Sequence, residues 1–304
     1  MAVYLGQWEP GSPEWHTARA GRVGGSDIAA ILGLSPWTSR FSLWHERKGL
    51  VPQQAEKPEM TWGKRLEPVI CDAFQEGHPD LGVLRIEGAV FAHDDRTWQV
   101  ASPDARLYPP RRLDRSTPIS GLEVKTDRFD DGWGPTGSDE IPLYYRCQVQ
   151  WCMDVFDLPE WHVAFLCSGS DYREYLIKAD PADQQLMRDA ARGFLDTLDR
   201  DERPSIDDHG ATYEAVKALH PDIDAVDFPV PPELAEEYCT ARHQLTAAEK
   251  TAKLATSRLA GAMGNARRAV LGTQTIATRQ ARNGGVPYLV AGKNLPDFNL
   301  EQVS

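Results

Sequence analysis

Apolar positions recur at helical spacing early in the chain, switch to short alternating runs, and return to a helical period near the end. Ile28, Ile31 and Leu32 follow Ser26, a candidate N-cap, and Gly33 stops that short helix. After the turn "LSPW", the spacing predicts a helix over about 39–48 that ends at Gly49. Leu66, Val69, Ile70, Ala73 and Phe74 mark a longer helix over roughly 62–76, with Pro68 in its first turn or kinking it. The β-branched runs "VLRIEGAVFAH", "TWQVASPDARLY" and "GLEVKT" read as strands, the last two separated by a Pro/Arg-rich loop, "PPRRLDRSTPIS". Next come a helix near 143–156, the strand pair "WHVAFLCSG" and "REYLIKA", and an acidic helix over about 181–200. A Pro/Asp/His-rich linker then leads to Pro231-Pro232.

Beyond that linker, Leu234, Tyr238, Ala241, Leu245, Ala248, Ala252, Ala255, Leu259 and Ala262 step by four and three without a break. Such a seam predicts one long helix with a heptad face, and its alanines favour close packing against a neighbour. The stretch "RRAVLGTQTIATRQARNGGVPYLV" then reads as a small basic β-hairpin turning at Asn283-Gly284-Gly285. These patterns divide the chain into an α/β core over residues 1–228 and a helical arm with a basic hairpin over 229–304.

The 304 residues suffice for a sizeable core. The formal charge of -12 argues against a polyanionic partner until its distribution is considered. Asp180–Glu237 holds 16 acids and 5 bases, whereas Cys239–Ser304 holds 9 bases and 3 acids. The acidity is regional, so a basic working surface can coexist with it. Cys71, Cys147, Cys152, Cys167 and Cys239 form no C-x-x-C pair. Buried thiols in a reduced, cytoplasmic compartment are the expectation, and zinc or an iron–sulfur cluster is not. The N-terminus lacks the blocks of a signal peptide, and no apolar run approaches membrane-spanning length.

Candidate chemistry centres on "GLEVKT", where Glu123 and Lys125 share one face of a strand while Val124 points into the core. A Glu-x-Lys triplet alone says little: Glu46-Arg47-Lys48 is another, and its place near a helix end reads as a solvated face. Pro-Asp pairs are also common here, at Asp80, Asp104, Asp222 and Asp297, but only Asp104 ends a strand-like run that precedes the Glu-Val-Lys strand. Two carboxylates on adjacent strands can share a hard divalent cation, which polarises a phosphate oxygen and acidifies a water. A neighbouring lysine can orient that water and offset charge in the transition state. On these two elements alone, a surface Glu–Lys pair reads equally well.

Five motifs occur in order: "WHTARAGRVGGSDIAAILG", "TWGKRLEPVICDAF", "VASPDARL", "GLEVKT" and "YYRCQVQWCMDVF". Together, over about 15–179, they resemble the YqaJ-like viral recombinase family, of lambda-exonuclease type, within the PD-(D/E)xK nuclease superfamily. The resemblance implies a restriction-endonuclease-like core, a mixed central sheet flanked by helices, ahead of the C-terminal helical arm and small β-hairpin. It implies Asp104 and Glu123 as metal-binding carboxylates, Lys125 as the catalytic lysine, a ligand carbonyl at Val124 and a completing helical acid at Glu67. Gln148 matches the family's helical glutamine, which braces the core or orients the scissile phosphate. Arg19 and Ser26 match positions that grip a terminal 5′-phosphate, with Arg22 as a second contact. Without the resemblance, an ordinary serine cap beside a surface arginine is the simpler reading of Arg19 and Ser26. Arg111, Arg112 and Arg115 lie in the long insertion and could contact DNA backbone or decorate a loop.

The implied activity is a Mg²⁺-dependent alkaline exonuclease, with Mn²⁺ as a substitute, that degrades one strand of linear double-stranded DNA from the 5′ end. The 3′ tail would pass to a single-strand annealing protein or recombinase, and a ring-shaped homo-oligomer would thread the DNA. Two other readings stay open: a structure- or sequence-specific endonuclease of the same superfamily, and a non-catalytic DNA-binding recombination module.

Overall fold

The structure is a computed structural model that describes residues 2–52, 57–109, 117–293 and 295–298. Arg111, Arg112 and Arg115 lie outside the described residues. The chain divides into two compact units, Met1–Ile223 and Asp224–Ser304.

The first unit opens with strand β1 (Val3–Gln7) and helices α1 (Pro13–Arg19), α2 (Gly25–Ile31), α3 (Arg40–Arg47) and α4 (Pro58–Gly77). Strands β2 (Gly82–Arg85), β3 (Ala89–Ala92), β4 (Val100–Ala101), β5 (Ala105–Tyr108) and β6 (Ser120–Asp127) follow. Helix α5 (Leu143–Phe156), strands β7 (Glu160–Cys167) and β8 (Asp171–Lys178), and helices α6 (Pro181–Asp199) and α7 (Gly210–Leu219) complete it.

Local chemistry explains the helix starts. Ser39 Oγ accepts from the N–H of Ser42 at 2.9 Å and caps α3, and Gly49 turns the chain beyond it at a φ of 69°. For α2 the expected serine cap is wrong. Gly24 is the N-cap, and Asp27 Oδ2 accepts its N–H at 2.8 Å, which leaves Ser26 inside the first turn. A carboxylate three residues in does the capping that Ser26 was expected to do. Pro68 lies in the interior of α4, because that helix starts at Pro58 rather than near Trp62. Helices α1 and α7 were not anticipated; α1 is capped by Ser12 Oγ, which accepts from the N–H of Trp15.

The strand runs proved composite. "VLRIEGAVFAH" splits into β2 and β3, and "TWQVASPDARLY" into β4 and β5, with each half in a different sheet. One sheet has the order β1-β3-β4; the central one has the order β2-β5-β6-β7-β8. Every central pairing is antiparallel except β6 with β7, whose connection carries α5. The central sheet is therefore mixed, with helices on both faces. Leu122, Val124 and Ala164 pack with Ile70, Cys71 and Phe74 of α4. Trp161, Val163 and Phe165 pack with Val149, Trp151 and Met153 of α5 and with Phe194 of α6. Period-two alternation on β6 thus sends even-numbered side chains to α4 and odd-numbered ones toward α5.

A buried polar knot ties the layers. Asp154 of α5 accepts from Arg188 of α6 at 2.6 Å, from Gln99 at 2.6 Å and from Arg96 at 3.2 Å. Its charge is buried but fully partnered, as such groups must be.

In the second unit, α8 (Pro232–Met263) carries no buried residue. Strands β9 (Arg268–Leu271), β10 (Gln274–Gln280) and β11 (Tyr288–Ala291) form an antiparallel sheet of order β11-β10-β9. The Asn283-Gly284 turn is present, with both φ values positive. The single hairpin expected from the sequence is a three-stranded sheet because Gly272, at a φ of 58°, makes a second tight turn. No helix among the described residues is long and apolar enough to cross a membrane.

Gly121 sets the spacing under the strand that carries Glu123. A Cβ there would lie 2.1 Å from Trp161 Cζ2, and Trp161 is fully buried. Gly121→Ala is expected to cost about 1–3 kcal/mol through overpacking, read as a lower urea midpoint with an unchanged slope.

Candidate active site

Asp104 lies between β4 and β5, one residue before β5, rather than at the end of a single strand. Its Oδ2 accepts the backbone N–H of Val124 at 2.7 Å, which fixes the carboxylate against β6. Val124 thus meets Asp104 through its N–H, while its side chain sits in the α4 layer. Glu123 is 2% exposed. Its Oε1 accepts from Lys125 Nζ at 2.6 Å and from Gln148 Nε2 of α5, while its buried Oε2 has no partner. Gln148 therefore touches the acid directly. Helix α5 is brought close by Gly25, where a Cβ would lie 3.2 Å from the Gln148 carbonyl oxygen.

One cleft collects these groups: Arg19, Ser26, Glu67, Asp104, Glu123, Lys125 and Gln148 all line it. Their electrostatics are strained. Burial, then the charges of Glu123 and Glu67, push the Asp104 carboxyl well above its usual range. Burial, then Glu87 and Glu123, raise Glu67 to about 7. Burial opposes the Lys125 charge, but Glu123 and Asp104 outweigh it and hold the ammonium protonated. Three crowded acids and an orphaned carboxylate oxygen are a donor set that suits a hard, oxygen-preferring dication.

At the other end of the cleft, Arg19 is 7% exposed and stacks 4.2 Å from the Trp15 ring centroid. Its Nη2 donates to Ser26 Oγ at 3.1 Å and to Asp27 Oδ2 at 3.2 Å. Arg47 Nη2 donates to the same Asp27 oxygen at 2.6 Å. Two guanidiniums share one carboxylate, so the corner keeps a positive charge. Gly24 makes room for it: a Cβ there would lie 2.2 Å from Arg19 Nη2.

Arg22 is not brought into this cleft. Its guanidinium donates to the carbonyls of Ala18 and Thr97, and it lines a separate cavity beside Trp98 and Arg192. Trp15, Lys64, Glu87 and the Asp27–Arg47 pair were missed in the sequence. Arg47 belongs to the Glu-Arg-Lys run expected to be a solvated face, and nothing local signals its reach to Asp27. A further group, His93, Asp94 and Asp95, sets its ligand atoms within 4.8 Å of one another. There His93 Nδ1 already accepts the N–H groups of Asp95 and Arg96, so the ring caps a turn.

Residues 14–159 match the model of the YqaJ-like viral recombinase domain. The uncharacterized protein YqaJ of Bacillus subtilis is 23% identical over 249 residues, 79% of this chain and 74% of its own length. Protein D345L of African swine fever virus (strain Badajoz 1971 Vero-adapted) is 34% identical over 64 residues, 21% of this chain and 19% of its own. Among solved structures, LHK-Exo in complex with dAMP aligns over 69% of this chain and all of its own, at 18% identity and a TM-score of 0.50. LHK-Exo is an alkaline exonuclease from Laribacter hongkongensis, and the likeness to it is one of fold. Residues 14–159, the stretch that matches the YqaJ-like viral recombinase domain model, contain every acid and base lining the cleft.

Proposed function

We propose that the chain is a Mg²⁺-dependent exonuclease that degrades one strand of linear double-stranded DNA from its 5′ end. The 3′ single-stranded tail then passes to an annealing protein or recombinase. One observation carries the reading: three crowded carboxylates, a protonated lysine and a glutamine share a cleft with a buried, positively charged arginine corner. The fold shared with LHK-Exo, which was captured with dAMP, is in keeping with release of mononucleotides.

Glu67, Asp104 and Glu123, with the Val124 carbonyl, would hold the metal. When bound, the metal, Mg²⁺ or Mn²⁺ in its place, supplies a polarised phosphate oxygen and an acidified water. Lys125 keeps its proton and offsets negative charge that builds on the phosphorus oxygens. Gln148 holds Glu123 Oε1 in place and presents its amide toward the scissile phosphate. Arg19 and Ser26 receive the terminal 5′-phosphate, whose charge exceeds that of an internal diester.

The deciding experiment digests end-labelled linear duplex and closed circular DNA with and without Mg²⁺. Mononucleotide release from linear ends alone is expected; nicking of closed circles would make the protein an endonuclease, and no metal-dependent cleavage would leave a binding module. Glu123→Gln and Lys125→Ala should each lower turnover by about a hundredfold or more, and the double variant should lose little beyond either single change. Near-normal activity in folded Glu123→Gln would refute the assignment.

Arg19→Ala tests the phosphate corner. A lost charge-assisted contact costs about 1.5–3 kcal/mol, roughly ten- to a hundredfold. Digestion of 5′-phosphorylated ends should slow by that factor, while the slower digestion of 5′-hydroxyl ends stays nearly constant. An equal loss on both substrates would assign Arg19 to structure or general backbone binding.

The crowded acids also predict a pH signature. Glu67 and Asp104 bind protons more tightly folded than unfolded, so the metal-free protein loses stability as pH rises from the ordinary carboxylate range through about 7. Asp104→Asn should flatten that slope and raise metal-free stability at pH 8 by about 0.5–2 kcal/mol. Mg²⁺ should raise the Tm of the unchanged protein at pH 8 but not that of Asp104→Asn. A variant less stable than the parent at pH 8 would mean that the acids are not in conflict.

A further inference from the structure

Helix α8 runs 32 residues with no side chain buried, yet it presents an unbroken apolar seam. Of the large seam residues, Leu234, Tyr238 and Leu245 are 46–66% exposed. A helix of this length gains most of its stability in proteins from packing its apolar face. The sequence says what that partner is. We infer that α8 pairs with α8 of a second copy of this chain, antiparallel, about a two-fold axis between Thr246 and Ala247.

The seam is complementary to its own reversal. With the axis there, Leu234 lies opposite Leu259, Tyr238 opposite Ala255, Ala241 opposite Ala252, and Leu245 opposite Ala248. Every seam residue from Leu234 to Leu259 meets a seam residue, and the large ones at 238 and 245 meet alanines. A parallel pair would instead set Tyr238 against itself and leave alanine facing alanine at 241, 248, 252 and 255. The antiparallel arrangement interdigitates large with small, which lets two helices approach to the short end of the 8–10 Å interaxial range.

The flanking charges agree. In the same register Glu237 faces Arg258 of the second copy, and Arg242 faces Glu249, on the two sides of the seam. Each pair occurs twice by symmetry. Pro232–Ala241 carries three acids and no Lys or Arg, whereas Arg242–Met263 carries four bases and one acid. Antiparallel pairing sets the acidic end against the basic end; parallel pairing sets like ends together. An isologous contact of this kind closes on itself and does not propagate.

The test places single cysteines in the full chain with Cys239→Ser, the one exposed native thiol among the described residues. Ala248 lies about one turn or less from its own symmetry mate, whereas Ala255 lies on the order of 25 Å from its mate at 1.5 Å rise per residue. Mild oxidation should crosslink Ala248→Cys into a species of twice the mass and leave Ala255→Cys uncrosslinked. Sedimentation equilibrium of Ala248→Glu should show an assembly of half the parent's mass, with helix content retained by circular dichroism. Equal crosslinking at 255 would mean parallel pairing and overturn the inference. So would no crosslinking at 248, or a parent and Ala248→Glu of equal mass.

Discussion

The β5–β6 pairing is the constraint from which the site follows. Ala105 sits opposite Leu122, and extending that antiparallel register by one residue sets Asp104 opposite Glu123. Like charges directly opposite each other on paired strands destabilise a sheet. Here Glu123 is buried with Asp104 half-buried beside it, and Glu67 from α4 adds a third acid. The fold tolerates this because Val124 donates its N–H to Asp104, while Lys125 and Gln148 converge on one oxygen of Glu123. The accommodation is incomplete: Glu123 Oε2 is left buried and unpartnered. Strain concentrated on acids that line a cleft is a mark of sites kept for chemistry rather than for stability.

The same logic runs at the arginine corner with the signs reversed. Arg19 is almost fully buried, and burial lowers its affinity for its proton despite the charge of Asp27. Asp27, though buried, is held below its usual range by Arg47 and Arg19. It also caps α2 through Gly24, so one carboxylate starts the helix and positions both guanidiniums. Helix α2 has only seven residues, so fixed side chains rather than a long helix dipole supply the field there. Gly24 and Gly25 admit Arg19 on one side and α5 on the other.

Much of this was legible in sequence because it is local. The α5 boundaries, the β7–β8 pair and the Glu-Val-Lys strand follow from periodicity and turn residues within short windows. Five ordered motifs named the acids, the lysine and the arginine that line the cleft. What escaped depends on contacts far apart in the chain. Arg47 reaches Asp27 across 20 residues, and Asp154 gathers Arg96 and Gln99 from one distant segment and Arg188 from another. The split of "VLRIEGAVFAH" between two sheets was hidden for a related reason: both halves are β-branched, and only Gly88, at a φ of 71°, marks the break. Arg22 shows the opposite error, since a motif position carried no information on where its side chain turns.

The chain's overall acidity finds its place at the level of the cleft. When its acids are ionised, as metal binding requires, Arg19, Lys64 and Lys125 in its lining stand against Glu67, Glu87, Asp104 and Glu123, a formal excess of one negative charge. Such a surface repels phosphate at short range. Under the proposed function, a dication on the acids reverses that sign at the point where the scissile phosphate must sit, while Arg19 remains positive at the terminal one. Metal and DNA then favour each other's binding, because each relieves charge that the other leaves uncompensated. The strain of the metal-free acids is the source of that coupling: a cleft neutralised in advance by salt bridges would be more stable and would have less reason to take either ligand.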